Sequence, residues 1–417
     1  MRLAVFTSKY PSRVSTFFER DMRALLEAGI EVDVLPIYPL DPDLWRHSSG
    51  VLGEDVLPRD RVHHLSAFDG MARLRPWPPR QAARFLGDAA AALRPAARYG
   101  PGVVARTAYV LPKAWAWACE HADRYDHVLG YWGNYAATCA YLFHRLVDRP
   151  IPFSIWLHAG TDLYLRRPFL REKLLYADCI VTCCEFNRRF LREQYPELVP
   201  AIDSRIHVVY HGLDLAAFPY EPRGRPPGRV LGVGRLARHK GWEYLLRAVA
   251  ELQRRGVPAE VELVGGGECQ EELTRLGAEL GIGPRLSIRG WVPFEEVRRA
   301  MSQATVLVHP SEGLGDGLPN VIREAMALGT PVIASDIAGI PEALDRGRCG
   351  MLVPPRDVAA LSAAIERLLG DEELRLRLAA NARALTETKF DLWRNGSALA
   401  ERLRAARRGA SRQGDAA

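Results

Sequence analysis

Residues 306–334 read VLVHPSEGLGDGLPNVIREAMALGTPVIA. Val306 to His309 is an apolar run of strand length. Pro310 to Leu318 is rich in glycine and reads as a loop. Pro319 suits the first turn of a helix, where a missing N–H costs no hydrogen bond. Pro331 to Ala334 is the next apolar run. A strand, a helix and a second strand in this order imply a parallel pair joined by a right-handed crossover.

The same alternation extends in both directions. Strands are expected at Val230–Val233, Glu260–Val264 and Leu286–Ile288, with helices between them. The first half repeats it, with strands at Leu3–Ser8, Val32–Pro36, His127–Tyr131, Phe153–His158, Cys179–Cys183 and Ile206–Tyr210. A helix from about Phe17 buries Phe18, Met22, Leu25 and Leu26, and residues 36–125 are less regular. Pro219 to Gly228 is the clearest linker. The expected organisation is a first α/β domain over 1–218, a linker over 219–228, a second α/β domain over 229–385 and a helical tail over 386–417 that packs back on the first domain. Two doubly wound domains facing across a cleft would bind a ligand beyond the carboxyl ends of their strands.

Composition narrows the partners. The chain has 417 residues, 48% hydrophobic and 25% charged, with a formal net charge of +6. That suits two globular domains. The excess of positive charge is too small to imply a nucleic-acid partner, but it favours anions such as diphosphates or an acidic membrane surface. Seven cysteines show no metal-ligand spacing and read as small buried residues in a reducing compartment. The first apolar run is too short for a signal peptide and no stretch is long enough to span a membrane, so the expected location is the cytoplasm. Between Met71 and Trp117, arginines interleave with Trp77, Phe85, Tyr99, Tyr109, Trp115 and Trp117. The pattern fits a basic amphipathic surface on the inner face of an anionic membrane. It fits a packed aromatic core with an arginine-rich exterior equally well.

Three strand-end segments in the second half carry chemistry. Gly232-Val233-Gly234-Arg235-Leu236-Ala237-Arg238-His239-Lys240-Gly241 leaves one strand and enters a helix. Arg235 offers a planar fork and Lys240 a compact charge, a pair suited to a diphosphate. A solvated loop with two surface cations is the alternative. Val264-Gly265-Gly266-Gly267-Glu268 is a tight turn at the next strand end. The third segment is the loop from His309, where Gly315, Gly317 and the following helix N-terminus would expose backbone N–H groups to an anion or hydroxyl. Asp316 and Glu324 lie eight residues apart there and could accept hydrogen bonds from sugar hydroxyls. A helix cap and a buried, hydrogen-bonded structural glutamate are the alternative reading.

These residues carry a resemblance. The run from Gly317 to Ala334, the Gly339-Ile340-Pro341-Glu342 stretch and the Gly-Arg-Leu segment ending at Lys240 resemble glycosyltransferase family 4, the retaining enzymes of GT-B fold. Ala177 to Asn187 and Ile206 to Asp214 resemble its domain-joining region. Bacterial surface-polysaccharide enzymes are the nearest subset, since Thr16 and Phe17 fit their N-terminal loop while Val14 and Ser15 depart from it. The resemblance implies a donor site between Gly232 and Glu324. Arg235 and Lys240 would neutralise the donor diphosphate, Glu324 would lie near the ribose and Asp316 would replace the acid that reads the transferred sugar. Glu312, four residues earlier, could serve in place of the shorter Asp316. Donor contacts would also come from Gly234, Gly265, Gly267, Val292, Gly317, Leu318, Pro319 and Asn320. His158 matches the family's active-site histidine, and Thr16, Phe17 and Asp162 would face the acceptor. The implied reaction moves a hexose from a nucleoside diphosphate sugar to a saccharide or lipid-linked acceptor with retention. No cofactor is implied. Asp41-Pro42-Asp43 resembles a metal-binding triplet but reads as a turn, so no metal is expected.

Three alternatives share this pattern: an epimerase or phosphorylase of the same architecture, a nucleotide-sugar-binding protein without catalysis, and a dinucleotide oxidoreductase. The last needs Gly-x-Gly-x-x-Gly after the first strand, where this chain has Lys9-Tyr10-Pro11-Ser12.

Overall fold

The structure, a computed structural model, describes residues 1–11, 16–39, 57–73 and 76–406. Asp41-Pro42-Asp43 and residues 12–15 lie outside the described residues. Two compact units emerge from the contacts. One comprises Met1–His211 and the chain from Trp393 onward, the other Gly212–Leu392.

The first unit holds a parallel sheet of β1 (Arg2–Thr7), β2 (Glu31–Pro36), β3 (His127–Gly130), β4 (Phe153–Leu157), β5 (Cys179–Thr182) and β6 (Ile206–Val208). Its order is β2-β1-β3-β4-β5-β6. Continuous apolar runs are what such strands require, because helices cover both faces of the sheet. Val5 of β1 pairs with Val34 of β2 and Leu129 of β3, and all three are fully buried. The helix Thr16–Glu27 places Phe18, Met22 and Leu25 against one face. The helix Leu392–Ala405 adds Leu399, Ala400 and Leu403 to that same core.

The second unit has β7 (Arg229–Val233), β8 (Glu260–Val264), β9 (Leu286–Ile288), β10 (Val306–His309), β11 (Val332–Ser335) and β12 (Met351–Val353). All pairings are parallel, in the order β12-β11-β10-β7-β8-β9. The 306–334 stretch is a βαβ unit as read, with its helix at Asn320–Ala327. β12 was not expected from the sequence.

Two sequence readings change. The stretch read as less regular contains helices at Pro79–Ala97 and Pro101–His121. Internal Pro95 and Pro112 obscured both helices in the sequence. Most of the aromatic interleaving there is core: Phe85 and Trp117 are buried, and Trp77, Tyr109 and Trp115 pack against the same cluster. Residues 219–228 belong with the second unit. Arg225 ties them down by donating to the carbonyls of Met301, Ser302, Ala304 and Leu328 at 2.8–3.0 Å.

Candidate active site

In the second unit the strand order reverses between β7 and β10. At such a switch point the flanking loops diverge, and ligands sit beyond the strand ends. Lys240 and Asp316 come from these two loops. Gly241 has φ 68°, and a Cβ there would lie 2.1 Å from the Pro310 carbonyl oxygen. Glycine therefore lets the β7 loop touch the β10 loop. Gly265, with φ 134°, brings the β8 loop equally close to Gly234, where a Cβ would meet the carbonyl oxygen at 2.0 Å. Hydrogen bonds fasten the loops together: Gly234 N to Val264 O at 3.0 Å, Leu236 N to Gly266 O at 3.0 Å and Gly265 N to Gly290 O at 2.8 Å. Gly267 lies against Leu236, and half-buried Val292 follows the exposed Trp291.

Lys240 Nζ donates to Asp316 Oδ1 at 2.5 Å. Ser311 Oγ donates to Asp316 Oδ2 at 2.7 Å, and His309 Nε2 lies 3.0 Å from the same oxygen. Burial opposes the Asp316 charge, but Lys240 and His309 outweigh it and hold the carboxyl well below the usual carboxylate range. Burial also lowers the His309 imidazolium. Arg235 is different. Its carbonyl is fixed by Trp242 Nε1 at 2.9 Å, while its exposed guanidinium has no hydrogen bond or ion pair among the described residues.

The two candidate acids of the loop are thus separated. Asp316 is bound to Lys240. Glu312 accepts from Tyr244 Oη at 2.8 Å and Arg356 Nε at 2.9 Å. It borders a cavity of about 740 Å³ shared with Arg238, Trp242 and Leu273. Glu324 is buried on the helix Asn320–Ala327, which Gly317, Leu318 and Pro319 lead into. Gly317 O accepts from Gly339 N at 3.0 Å, and Asn320 Oδ1 accepts from Arg323.

In the first unit His158 follows β4 directly and is 5% exposed. Neither ring nitrogen makes a hydrogen bond. Asp162 is turned back onto it by the short Gly160–Asp162 helix, accepting from His158 N at 2.6 Å and standing 3.4 Å from His158 Nδ1. Thr16 and Phe17 open the helix Thr16–Glu27. The Phe17 ring centroid lies 6.0 Å from that of His158, and Trp132 packs on His158 at 4.4 Å. Sequence reasoning missed Tyr131, Trp132, Asp21 and the part played by His211. Asp21 left a signal: it falls four residues after Phe17, a polar residue on the buried stripe of an amphipathic helix.

Among the described residues no three His, Cys, Asp or Glu side chains gather into a group that could hold a metal ion, and no helix is long and apolar enough to cross a membrane. None of the seven cysteines forms a disulfide, and six are buried.

Comparison with known proteins supplies the context. The family described as "Glycosyl transferases group 1" matches residues 227–371. The amylovoran biosynthesis glycosyltransferase AmsK of Erwinia amylovora is 31% identical over 421 aligned residues, covering 97% of this chain and all of that one. An alpha-D-kanosaminyltransferase of Streptomyces kanamyceticus is 37% identical over 171 residues, 41% of this chain and 44% of that protein's length. Among solved structures, sucrose-phosphate synthase of Thermosynechococcus elongatus aligns over 97% of this chain and 98% of its own, with TM-score 0.71 at 21% identity. Anabaena Alr3699/HepE in complex with UDP-glucose aligns over 97% and 100%, with TM-score 0.69 at 17% identity. The paired doubly wound units are therefore those of GT-B glycosyltransferases.

Proposed function

Because this chain belongs to the glycosyl transferases group 1 family and is a glycosyltransferase, we propose that it is a family 4 enzyme moving a hexose from a nucleoside diphosphate sugar to a hydroxyl of a saccharide or lipid-linked acceptor. The process served would be polysaccharide or glycoconjugate synthesis, with retention of anomeric configuration by same-face attack. The observation that carries the reading is the charge arrangement at the β7/β10 switch point. There, an Arg235 fork with no ion pair among the described residues and a Lys240 ammonium held by Asp316 lie on the loop that leaves β7, and the loop that leaves β10 carries Asp316 and runs on into the helix Asn320–Ala327.

Cleaving the sugar–phosphate bond leaves negative charge on the departing diphosphate. Arg235 supplies two parallel donors to phosphate oxygens, and Lys240 supplies a point charge. A cation held in place before reaction, as Lys240 is, stabilises such charge effectively. The Lys240–Asp316 contact keeps the ammonium in place before the donor arrives. Glu324 is assigned to the donor ribose and Asp316 to the lysine first, with the sugar as its second partner. In the first unit His158 is the group offered to substrate, its Nε2 without a hydrogen bond among the described residues and its Nδ1 3.4 Å from Asp162.

With the leaving charge met by side chains, transfer needs no metal. Activity is expected to survive EDTA at full rate, read as nucleoside diphosphate release; loss restored by Mg²⁺ or Mn²⁺ would refute this part. Product NMR reads the stereochemistry, and a β-glycoside from an α-linked donor would overturn retention.

Cysteines held as thiols and a nucleotide-sugar donor fit the cytoplasm. Membrane contact now rests on fewer residues than the sequence suggested: Phe68, Met71 and Leu86 are 81%, 52% and 66% exposed, with Arg73 and Arg80 exposed beside them. Flotation with anionic vesicles is expected to carry the protein upward, and Phe68→Ser with Leu86→Ser to leave it at the bottom. Absence of wild-type flotation removes the membrane from the reading.

A further inference from the structure

His158 has an unusual support. Among the described residues no hydrogen bond fixes its ring: Asp162 Oδ2 stands 3.4 Å from Nδ1, and the ring faces are held by what packs on them. His211, which follows β6, covers one face, with ring centroids 5.0 Å apart and planes 9° from parallel. Trp156 lies beside both rings, 25° from His158 and 17° from His211. His211 is itself anchored: Asp21 Oδ2 lies 2.7 Å from His211 Nδ1 and accepts from Tyr131 Oη at 2.5 Å. Asp21 and His211 are only 5% and 4% exposed. Apolar residues of similar volume often stabilise a fold as well as a buried ion pair does, so filling space does not explain this one.

We propose that Asp21, Tyr131 and His211 form a buried array that holds the His158 ring in its working orientation, making Asp21 and His211 positioning residues for the transfer reaction. The inference rests on the assignment of His158 to the substrate site. Asp21 comes from the helix Thr16–Glu27, Tyr131 directly follows β3, His158 directly follows β4 and His211 lies in the segment after β6. The array therefore ties four elements to one ring, at the carboxyl edge of the sheet.

The titratable groups facing His211 are Asp21, Cys183, His158 and Tyr131. Burial alone would lower the His211 imidazolium, but Asp21 and Cys183 outweigh it and bring it up to about 9. The folded value lies above the ordinary histidine value of about 6.5. The ion pair is therefore complete below that pH and is lost as pH rises through about 9.

The test uses the full chain with imidazole-labelled histidines. Wild type should show His211 doubly protonated at pH 7.5, and Asp21→Asn should shift and broaden the His158 signals. In transfer assays Asp21→Asn should lower kcat at least about tenfold, change donor KM less than about threefold and move the alkaline limb of the pH profile to lower pH. Unchanged His158 signals in a folded Asp21→Asn protein would overturn the array, whatever the activity. If wild type transfers no sugar, the function fails while the NMR arm still judges the array. Should Asp21→Asn not fold, the double variant Asp21→Leu with His211→Phe keeps the packing and removes the pair. Full activity in that variant would show the pair to be structural only.

Discussion

Lys240→Ala is expected to cut kcat/KM for transfer about 10²–10³-fold, with most of the loss in kcat. The ammonium is held at the switch point before any donor binds, with side-chain exposure of 14%. Its interaction with a phosphate is therefore screened little by water. The charge it meets grows as the sugar–phosphate bond breaks, so the interaction is stronger in the transition state than in the ground state. That difference is what appears in kcat. Removing the exposed Arg235 should act more on donor KM, since its guanidinium must be ordered on binding. Steady-state kinetics of the two variants separate these roles. Equal effects on KM alone would mean that Lys240 binds the donor without helping it react.

Asp316→Ala is expected to destabilise the second unit by about 3 kcal/mol, because it strands Lys240 beside a half-buried site and removes the partner of Ser311 and His309. Asp316→Glu should recover much of that loss by keeping the charge. The sign with pH follows from the depressed carboxyl. Its contribution is present above the ordinary carboxylate value of about 3.9 and disappears as pH falls toward the lower folded value. Urea unfolding of wild type and Asp316→Ala should therefore differ by a constant amount above about pH 5, with the gap closing in acid. A pH-independent gap would assign the loss to packing.

Much of this was readable in the sequence, for definite reasons. Buried parallel strands are continuous apolar runs, so β7, β8 and β10 stood out and their end loops could be found. Arg235, Lys240, Asp316 and Glu324 fell on those loops or just beyond them. What could not be read was pairing across the sheet. Asp316 meets Lys240 because β10 lies beside β7, a neighbour relation between strands far apart in sequence. Glu312 is taken up by Tyr244, from the helix after β7, and by Arg356, from beyond β12, and Asp21 finds His211 at 190 residues' separation. The long helices before His127 were obscured because internal prolines break the pattern that periodicity relies on.

The central claim is that a nucleoside diphosphate sugar is held through Arg235, Lys240 and Glu324. It is tested most directly by calorimetric titration of wild type, Arg235→Ala and Glu324→Ala with a panel of UDP, GDP and ADP sugars. The account predicts that one nucleotide binds wild type and that both variants bind it at least about tenfold more weakly. Binding that is unchanged in the variants would contradict it.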